Sequence, residues 1–133
     1  MRIGELAHMT GVPTKTIRYY EDIGLVPPPP RAPNGYREYD MQVADRLTFI
    51  KDAQAARLSL AEIRSILDMR DHGESTCHHV IDLLERHLDD IDRQLRTLRH
   101  TRRQLTELTA RARRLDPAEC TDPNRCQTIA VPG

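Results

Sequence analysis

The sequence predicts a mainly α-helical fold that ends in a cysteine-bearing loop, and three observations support this prediction. Two short amphipathic helical patterns near the N-terminus are joined across Thr10 to Pro13, which is the spacing of a helix-turn-helix. Leucine and isoleucine then recur every three or four residues in a long coiled-coil pattern. A pair of cysteines follows that pattern. We therefore expect three parts: a winged helix-turn-helix domain over residues 1–75, a dimerisation helix over residues 76–115, and a cysteine-bearing loop and tail over residues 116–133.

The two N-terminal helices and their wing are predicted from apolar spacing and turn residues. Gly24 followed by Leu25 predicts a helix end with its hydrophobic contact. The four prolines from Pro27 to Pro30 exclude a helix and predict an extended connector. Asn34 and Gly35 form a strong short hairpin signal, so we expect a small β-wing around them. The apolar faces of the two helices consist of Ile3, Leu6, Ala7, Val12 and Ile17.

Two further helices are predicted before the coiled coil. Asp40 is the expected N-cap of a third helix. Ser59 and Glu62 have the spacing of a capping box, which predicts that a fourth helix begins there and runs to about residue 70. A break around Gly73 separates this helix from the long one, which we expect from about residue 77 to about residue 114.

Cationic and aromatic residues of the first forty positions predict double-stranded DNA as the partner. The net charge of the chain is zero, so the affinity for DNA must come from locally placed cations. The second helix and the wing supply cations for phosphates together with aromatic rings for base edges. The expected DNA-binding residues are Lys15, Arg18, Tyr19, Tyr20, Arg31, Tyr36 and Arg37.

The long helix carries one apolar stripe that a single helix cannot bury. Aromatic residues make up only 4% of the 133 residues and charged residues 30%, so a large private core is not expected. Two copies of the helix would cover each other's stripes, and we therefore expect a homodimer. The stripe consists of Leu84, Leu88, Ile91, Leu95, Leu98 and Leu105, with Arg102 in the same row.

Three cysteines predict a thiolate metal site. Cys120 and Cys126 enclose five residues, a loop short enough to bring both thiolates to one ion. Cys77 lies at the other end of a helix that rises roughly 55 Å at 1.5 Å per residue, so it cannot reach the loop of its own chain. Antiparallel pairing of two helices would place Cys77 of one subunit beside the loop of the other. Each dimer would then hold two shared sites with three sulfurs each.

Three thiolates select soft or borderline divalent ions. Zinc is the ion that we expect first, and cadmium, lead and mercury suit the same donors. If zinc is bound, a fourth ligand could come from His78, His79 or water. His87 and His100 are expected on the helix surface only.

The segment from Met1 to Leu25 and the turn from Asn34 to Arg37 resemble the N-terminal domain of the MerR family of transcriptional regulators. The resemblance implies that six of these residues contact DNA, namely Lys15, Arg18, Tyr19, Tyr20, Tyr36 and Arg37. It also implies activation by distortion of a promoter with an overlong spacer, so that RNA polymerase engages both promoter elements. In metal-responsive members a cysteine at the start of the dimerisation helix is characteristic of divalent-ion sensors, and Cys77 matches that pattern.

Other readings of the sequence remain open. A thiol-based redox or electrophile sensor could use the same three cysteines. From another class, a metal-buffering or coiled-coil adaptor protein would leave the helix-turn-helix and its cations without a purpose. No paired carboxylates, nucleophile with base, or phosphate loop predicts an enzyme. The chain also has no apolar run of membrane-spanning length and no apolar leader, so we expect a cytoplasmic protein without a membrane partner.

Overall fold

The computed structural model describes residues 1–123 and 125–129 and confirms the predicted order of helices. Asn124 and residues 130–133, which belong to the expected loop and tail, lie outside the described residues. The chain divides into two compact units, Met1–His87 and Leu88–Gly133. The helices are α1 (Ile3–Thr10), α2 (Thr14–Asp22), α3 (Met41–Ala55), α4 (Leu60–Asp71) and α5 (Cys77–Arg114), followed by a 3₁₀ turn (Pro117–Glu119).

The turn between α1 and α2 depends on a glycine in a left-handed conformation. Gly11 has φ 73°, and its N–H donates to the carbonyl of Ala7 at 2.9 Å, which caps α1. A Cβ atom at this position would lie 2.5 Å from Nζ of Lys51 on α3. Both the backbone angle and the close side chain therefore favour glycine at this turn.

Both predicted caps of the middle helices are present. The Asp40 carboxylate accepts a hydrogen bond from the N–H of Val43 at 3.1 Å and caps α3. At the start of α4, the Ser59 hydroxyl accepts from the N–H of Glu62 at 3.1 Å, and the Glu62 carboxylate accepts from the N–H of Ser59 at 2.9 Å. This reciprocal pair is the capping box expected from the sequence.

The core of the first unit consists of apolar side chains from α1 to α4 and from the segments that connect them, together with Leu83 from α5. Leu6, Ile17, Leu47 and Ile63 are completely buried, one from each of these four helices. Burial of a side chain of this size stabilises a fold by about 1.5–3 kcal/mol. The core therefore fixes α2 against the rest of the unit and leaves its other face outside.

The wing contains a tight turn but no pair of extended strands among the described residues. Arg31 and Arg37 form an isolated antiparallel bridge, and the N–H of Ala32 donates to the carbonyl of Tyr36 at 2.7 Å. Gly35 turns the chain with φ 83°. The expected β-hairpin is thus reduced to a single bridge. The physical reason is proline: Pro27–Pro30 and Pro33 have no N–H with which to extend a ladder.

The second unit contains the rest of α5 and the 3₁₀ turn. The carboxylate of Asp116 accepts from the N–H of Ala118 at 2.9 Å and caps this turn. The side-chain amide of Gln127 donates to the carbonyl of Asp116 at 3.2 Å, which ties the loop back to its beginning. Within residues 1–123 and 125–129, no helix combines the length and the apolar character needed to cross a bilayer.

Candidate DNA interface and cysteine sites

Helix α2 presents a cationic and aromatic face to solvent. Its apolar residue Ile17 is completely buried, whereas Lys15, Arg18 and Tyr19 are exposed. Neither Lys15 nor Arg18 forms an ion pair with any residue that the structure describes. Their charges are therefore not compensated by any carboxylate that the structure describes.

Tyr20 does not share this face. Its side chain is only 5% exposed, and its hydroxyl donates to the side-chain oxygen of Gln54 on α3 at 3.0 Å. Burial raises the pKa of Tyr20 above its ordinary value. Tyr20 thus lies on the side of α2 that faces α3, whereas Tyr19, 100° further back around the helix, is 51% exposed. We therefore remove Tyr20 from the expected DNA-binding residues and assign it to packing.

The wing is held to α2 through Glu21. The guanidinium of Arg37 donates to one carboxylate oxygen of Glu21 at 2.7 Å, and the hydroxyl of Tyr39 donates to the other at 2.5 Å. Burial, followed by the bond to Glu21, raises the pKa of Tyr39. Arg31 and Tyr36 are exposed, Tyr36 by 58%. Two expected wing contacts, Arg31 and Tyr36, thus face solvent, and Arg37 faces solvent with its charge partly compensated by Glu21.

Helix α4 is bonded both to the end of α2 and to the start of α5. Arg64 donates from Nη2 to the carbonyl of Ile23, directly after α2. Ser65 Oγ lies 2.7 Å from Nε2 of His79, and the carboxylate oxygens of Glu62 lie 2.9 and 3.2 Å from Nε2 of His87.

Sequence reasoning missed these α4 contacts. The position of Glu62, three residues after Ser59, predicted the capping box but did not indicate that the Glu62 carboxylate also contacts His87. His87 was expected on the helix surface only, and it is instead paired with Glu62. The expectation for His79 also changes, because its Nε2 is engaged by Ser65 in this structure. His78 is exposed.

The apolar stripe of α5 is uncovered in the single chain. Its leucine and isoleucine residues are between 38% and 64% exposed. An exposed stripe of this length is typical of a surface that another chain covers. The exposed residues are Leu84, Leu88, Ile91, Leu95, Leu98 and Leu105.

The three cysteines are free thiols and all are exposed. Cys120 lines a cavity of about 270 Å³ together with Arg111 and Arg125. Hydrogen bonds from the backbone N–H groups of Ile129 and Thr128 lower the pKa of the Cys126 thiol, which favours the thiolate that binds metal ions.

No cluster of three or more His, Cys, Asp or Glu side chains suited to a metal ion occurs within the part of the chain that the structure describes.

A helix-turn-helix with outward cations, followed by a long helix with an uncovered stripe, defines a DNA-binding transcriptional regulator. Residues 2–39 match the model of the MerR family regulatory protein, and residues 44–108 match the model described as "MerR, DNA binding". The chain belongs to the MerR family. Members of this family are regulators and not enzymes, and they act on promoter DNA as dimers.

Among curated relatives, the mercuric resistance operon regulatory protein of Bacillus cereus is 43% identical over 110 residues, covering 83% of each chain. Among solved structures, the transcription regulator PbrR691 of Ralstonia metallidurans CH34 in complex with lead(II) is similar, with TM-score 0.74, 33% identity, and coverage of 97% of this chain and 96% of that chain. The regulator MerR of Bacillus megaterium MB1 in complex with mercury(II) has TM-score 0.62, 36% identity and 91% coverage of both chains.

Proposed function

We propose that this protein binds promoter DNA as an antiparallel homodimer and activates transcription in response to a divalent, thiol-binding metal ion. The observation that carries the proposal is the connection of three helices within the first unit. Helix α5, which begins at Cys77, is bonded to α4, and α4 is bonded to the end of α2. A change at Cys77 therefore has a bonded route to the DNA-facing helix.

The proposed DNA contacts are the exposed members of the predicted set. They lie on α2 and on the wing, which Glu21 joins into one surface. Cations on such a surface bind phosphates, and the exposed rings of Tyr19 and Tyr36 suit sugar and base edges. We expect this protein to act in the cytoplasm, where promoter DNA is found. The proposed contact residues are Lys15, Arg18, Tyr19, Arg31, Tyr36 and Arg37.

The charge distribution along α5 supports antiparallel pairing. Residues 77–92 contain five Asp or Glu and one Arg, a net charge of −4, whereas residues 93–114 contain eight Arg and one Glu, a net charge of +7. In a parallel pair, like charges would face each other along the whole helix. In an antiparallel pair, each acidic half faces a basic half. Charged residues beside a coiled-coil stripe set the orientation of the partners in this way.

The donor set fits a thiophilic divalent ion. Cys77, Cys120 and Cys126 would hold the ion, and the first would come from one subunit while the other two come from its partner. Such an ion would supply positive charge that binds three thiolates together. Zinc is the ion that we expect first, and the solved relatives with lead(II) and mercury(II) make those ions necessary competitors.

Transcription would be activated through the shape of the DNA. Two copies of the DNA-facing surface, joined by α5, hold two half-sites of the promoter, and a shift of α4 changes the angle between them. Bending or untwisting a spacer stores energy that depends on DNA deformability and not on further base contacts. RNA polymerase would then engage both promoter elements.

The proposal is tested with two cysteine variants. Cys77→Ser, and the double variant Cys120→Ser/Cys126→Ser, should each lose tight binding of zinc and lead(II) under anaerobic conditions while retaining the wild-type affinity for promoter DNA. Thr121→Ser, a conservative change in the same loop, is the control and should behave like wild type. Transcription from the promoter in vitro should respond to metal only for wild type and the control.

Two results would contradict the proposal. Variants that respond normally to metal would exclude the cysteines as ligands. A wild-type response to oxidant that needs no metal would support the thiol-based redox sensor instead.

A further inference from the structure

A cationic cleft lies between the first turn of α1 and the wing. Its volume is about 630 Å³, and three arginines from three different segments of the first unit line it. Glu5 is the one acidic residue among its lining side chains. The cleft is lined by Arg2, Ile3, Gly4, Glu5, Arg18, Tyr36 and Arg37.

Arg2 is held in this cleft by an aromatic ring. Its guanidinium carbon lies 4.3 Å from the centroid of the Tyr36 ring, within the range of a cation–π contact. A cation–π contact engages the charge of the guanidinium and takes up no hydrogen-bond acceptor, so its N–H groups can still donate. Tyr36 therefore orients Arg2 without consuming its hydrogen-bond donors.

Two of the three guanidinium groups have no carboxylate partner. Arg37 is paired with Glu21 at 2.7 Å. Arg2 and Arg18 form no ion pair with the residues that the structure describes. Two arginines without a carboxylate partner, lining one cleft, attract an anion with several acceptor oxygens. Guanidinium groups bind phosphates in bidentate geometry.

We propose that this cleft binds one phosphodiester group of the DNA backbone, and that Arg2, oriented by Tyr36, donates hydrogen bonds to it. The inference rests on the proposed DNA binding and adds Arg2 to its contacts. The ligand is the backbone and not a base. Arg18 of the DNA-facing helix lines the same cleft, so a duplex against α2 brings a strand to Arg2. A backbone contact fixes the position of the duplex and is independent of base sequence.

The test compares affinity and its salt dependence for two duplexes. One is a 30-bp duplex selected by the wild-type protein from a random pool, and the other is a scrambled duplex of the same composition. Arg2→Ala should weaken binding to both by a similar factor, roughly tenfold, and should reduce the salt slope by about one ion for each subunit, or about two for the dimer. Arg2→Lys should keep the wild-type slope, because it keeps the charge.

Arg70→Ala is a matched control. The guanidinium of Arg70 lies 5.0 Å from the centroid of the Phe49 ring, so this variant also loses one charge and one cation–π contact, outside the cleft. It should leave the slope unchanged. Arg2 is exposed, so its replacement is expected to leave the melting temperature at the wild-type value.

If Arg2→Ala left both the affinity and the salt slope unchanged, the proposal that this cleft binds a backbone phosphodiester would be wrong. A loss confined to the selected duplex would also overturn it, since that pattern indicates a base contact. Failure of the wild-type protein to bind either duplex would instead overturn the proposed DNA binding itself. The two failures are therefore distinguishable.

Discussion

Replacing Leu95 by aspartate should separate the dimer, and the structure gives a magnitude for the effect. Leu95 is 43% exposed in the single chain. Full burial of a leucine contributes about 1.5–3 kcal/mol, so covering this exposed fraction contributes about 1 kcal/mol for each subunit. Two-fold symmetry doubles the loss to about 2 kcal/mol, which corresponds to a roughly 30-fold increase in the dimer dissociation constant. Placing two carboxylates against an apolar stripe adds to that cost.

The assay is sedimentation velocity over a dilution series, with promoter binding measured on the same samples. Thr97→Asp is the control, because it adds the same charge two residues away and outside the apolar stripe. We expect the control to remain dimeric while Leu95→Asp dissociates and loses cooperative binding to paired half-sites. Equal dissociation constants for the two variants would show that the stripe does not form the subunit interface.

Two further predictions concern the stability of the first unit. Gly11→Ala should destabilise the fold by about 1–2 kcal/mol in urea unfolding, because alanine resists φ 73° and its Cβ would meet Lys51; an unchanged midpoint would contradict this. Hydrogen bonds from the Ser59 N–H and from His87 lower the pKa of Glu62. Its carboxylate therefore stabilises the fold above about pH 4.3, the ordinary glutamate pKa, and this contribution is lost as pH falls through the lowered folded-state pKa. The difference in unfolding free energy between wild type and Glu62→Gln should accordingly shrink below about pH 4, and a constant difference would refute the assignment.

The fold was largely predictable from the sequence because its helix ends are marked by local chemistry. Gly11 and Gly24 stop helices through left-handed backbone angles, and the Ser59–Glu62 box begins one. The predicted long helix, from about residue 77 to about 114, agrees with the observed Cys77–Arg114. Such signals act between near neighbours, and a sequence shows them directly. The wing was less predictable, because the effect of missing proline N–H groups on strand pairing depends on the partner segment.

The site was predictable where it depends on exposure and not where it depends on long-range contacts. The cations of α2 follow from helical spacing. Tyr20 was misplaced because the sequence does not distinguish it from the adjacent Tyr19. What distinguishes it is a hydrogen bond to Gln54, which is 34 positions away in the sequence. The bonds of α4 to Ile23, His79 and His87 likewise join residues distant in sequence. No local pattern indicates such contacts, and Arg2 gained its proposed role only from its place beside Tyr36.

The most direct test of the account mixes subunits of the Cys77→Ser and the Cys120→Ser/Cys126→Ser variants. Each homodimer lacks part of both proposed sites. In a heterodimer isolated with two affinity tags, the intact loop of one subunit would face the intact Cys77 of the other, which restores one three-sulfur site. The second site would contain only the serine substitutions and no thiolate. We expect about one tightly bound metal ion per heterodimer, against two per wild-type dimer and none per variant homodimer. A heterodimer without tight metal binding would contradict the shared, antiparallel site.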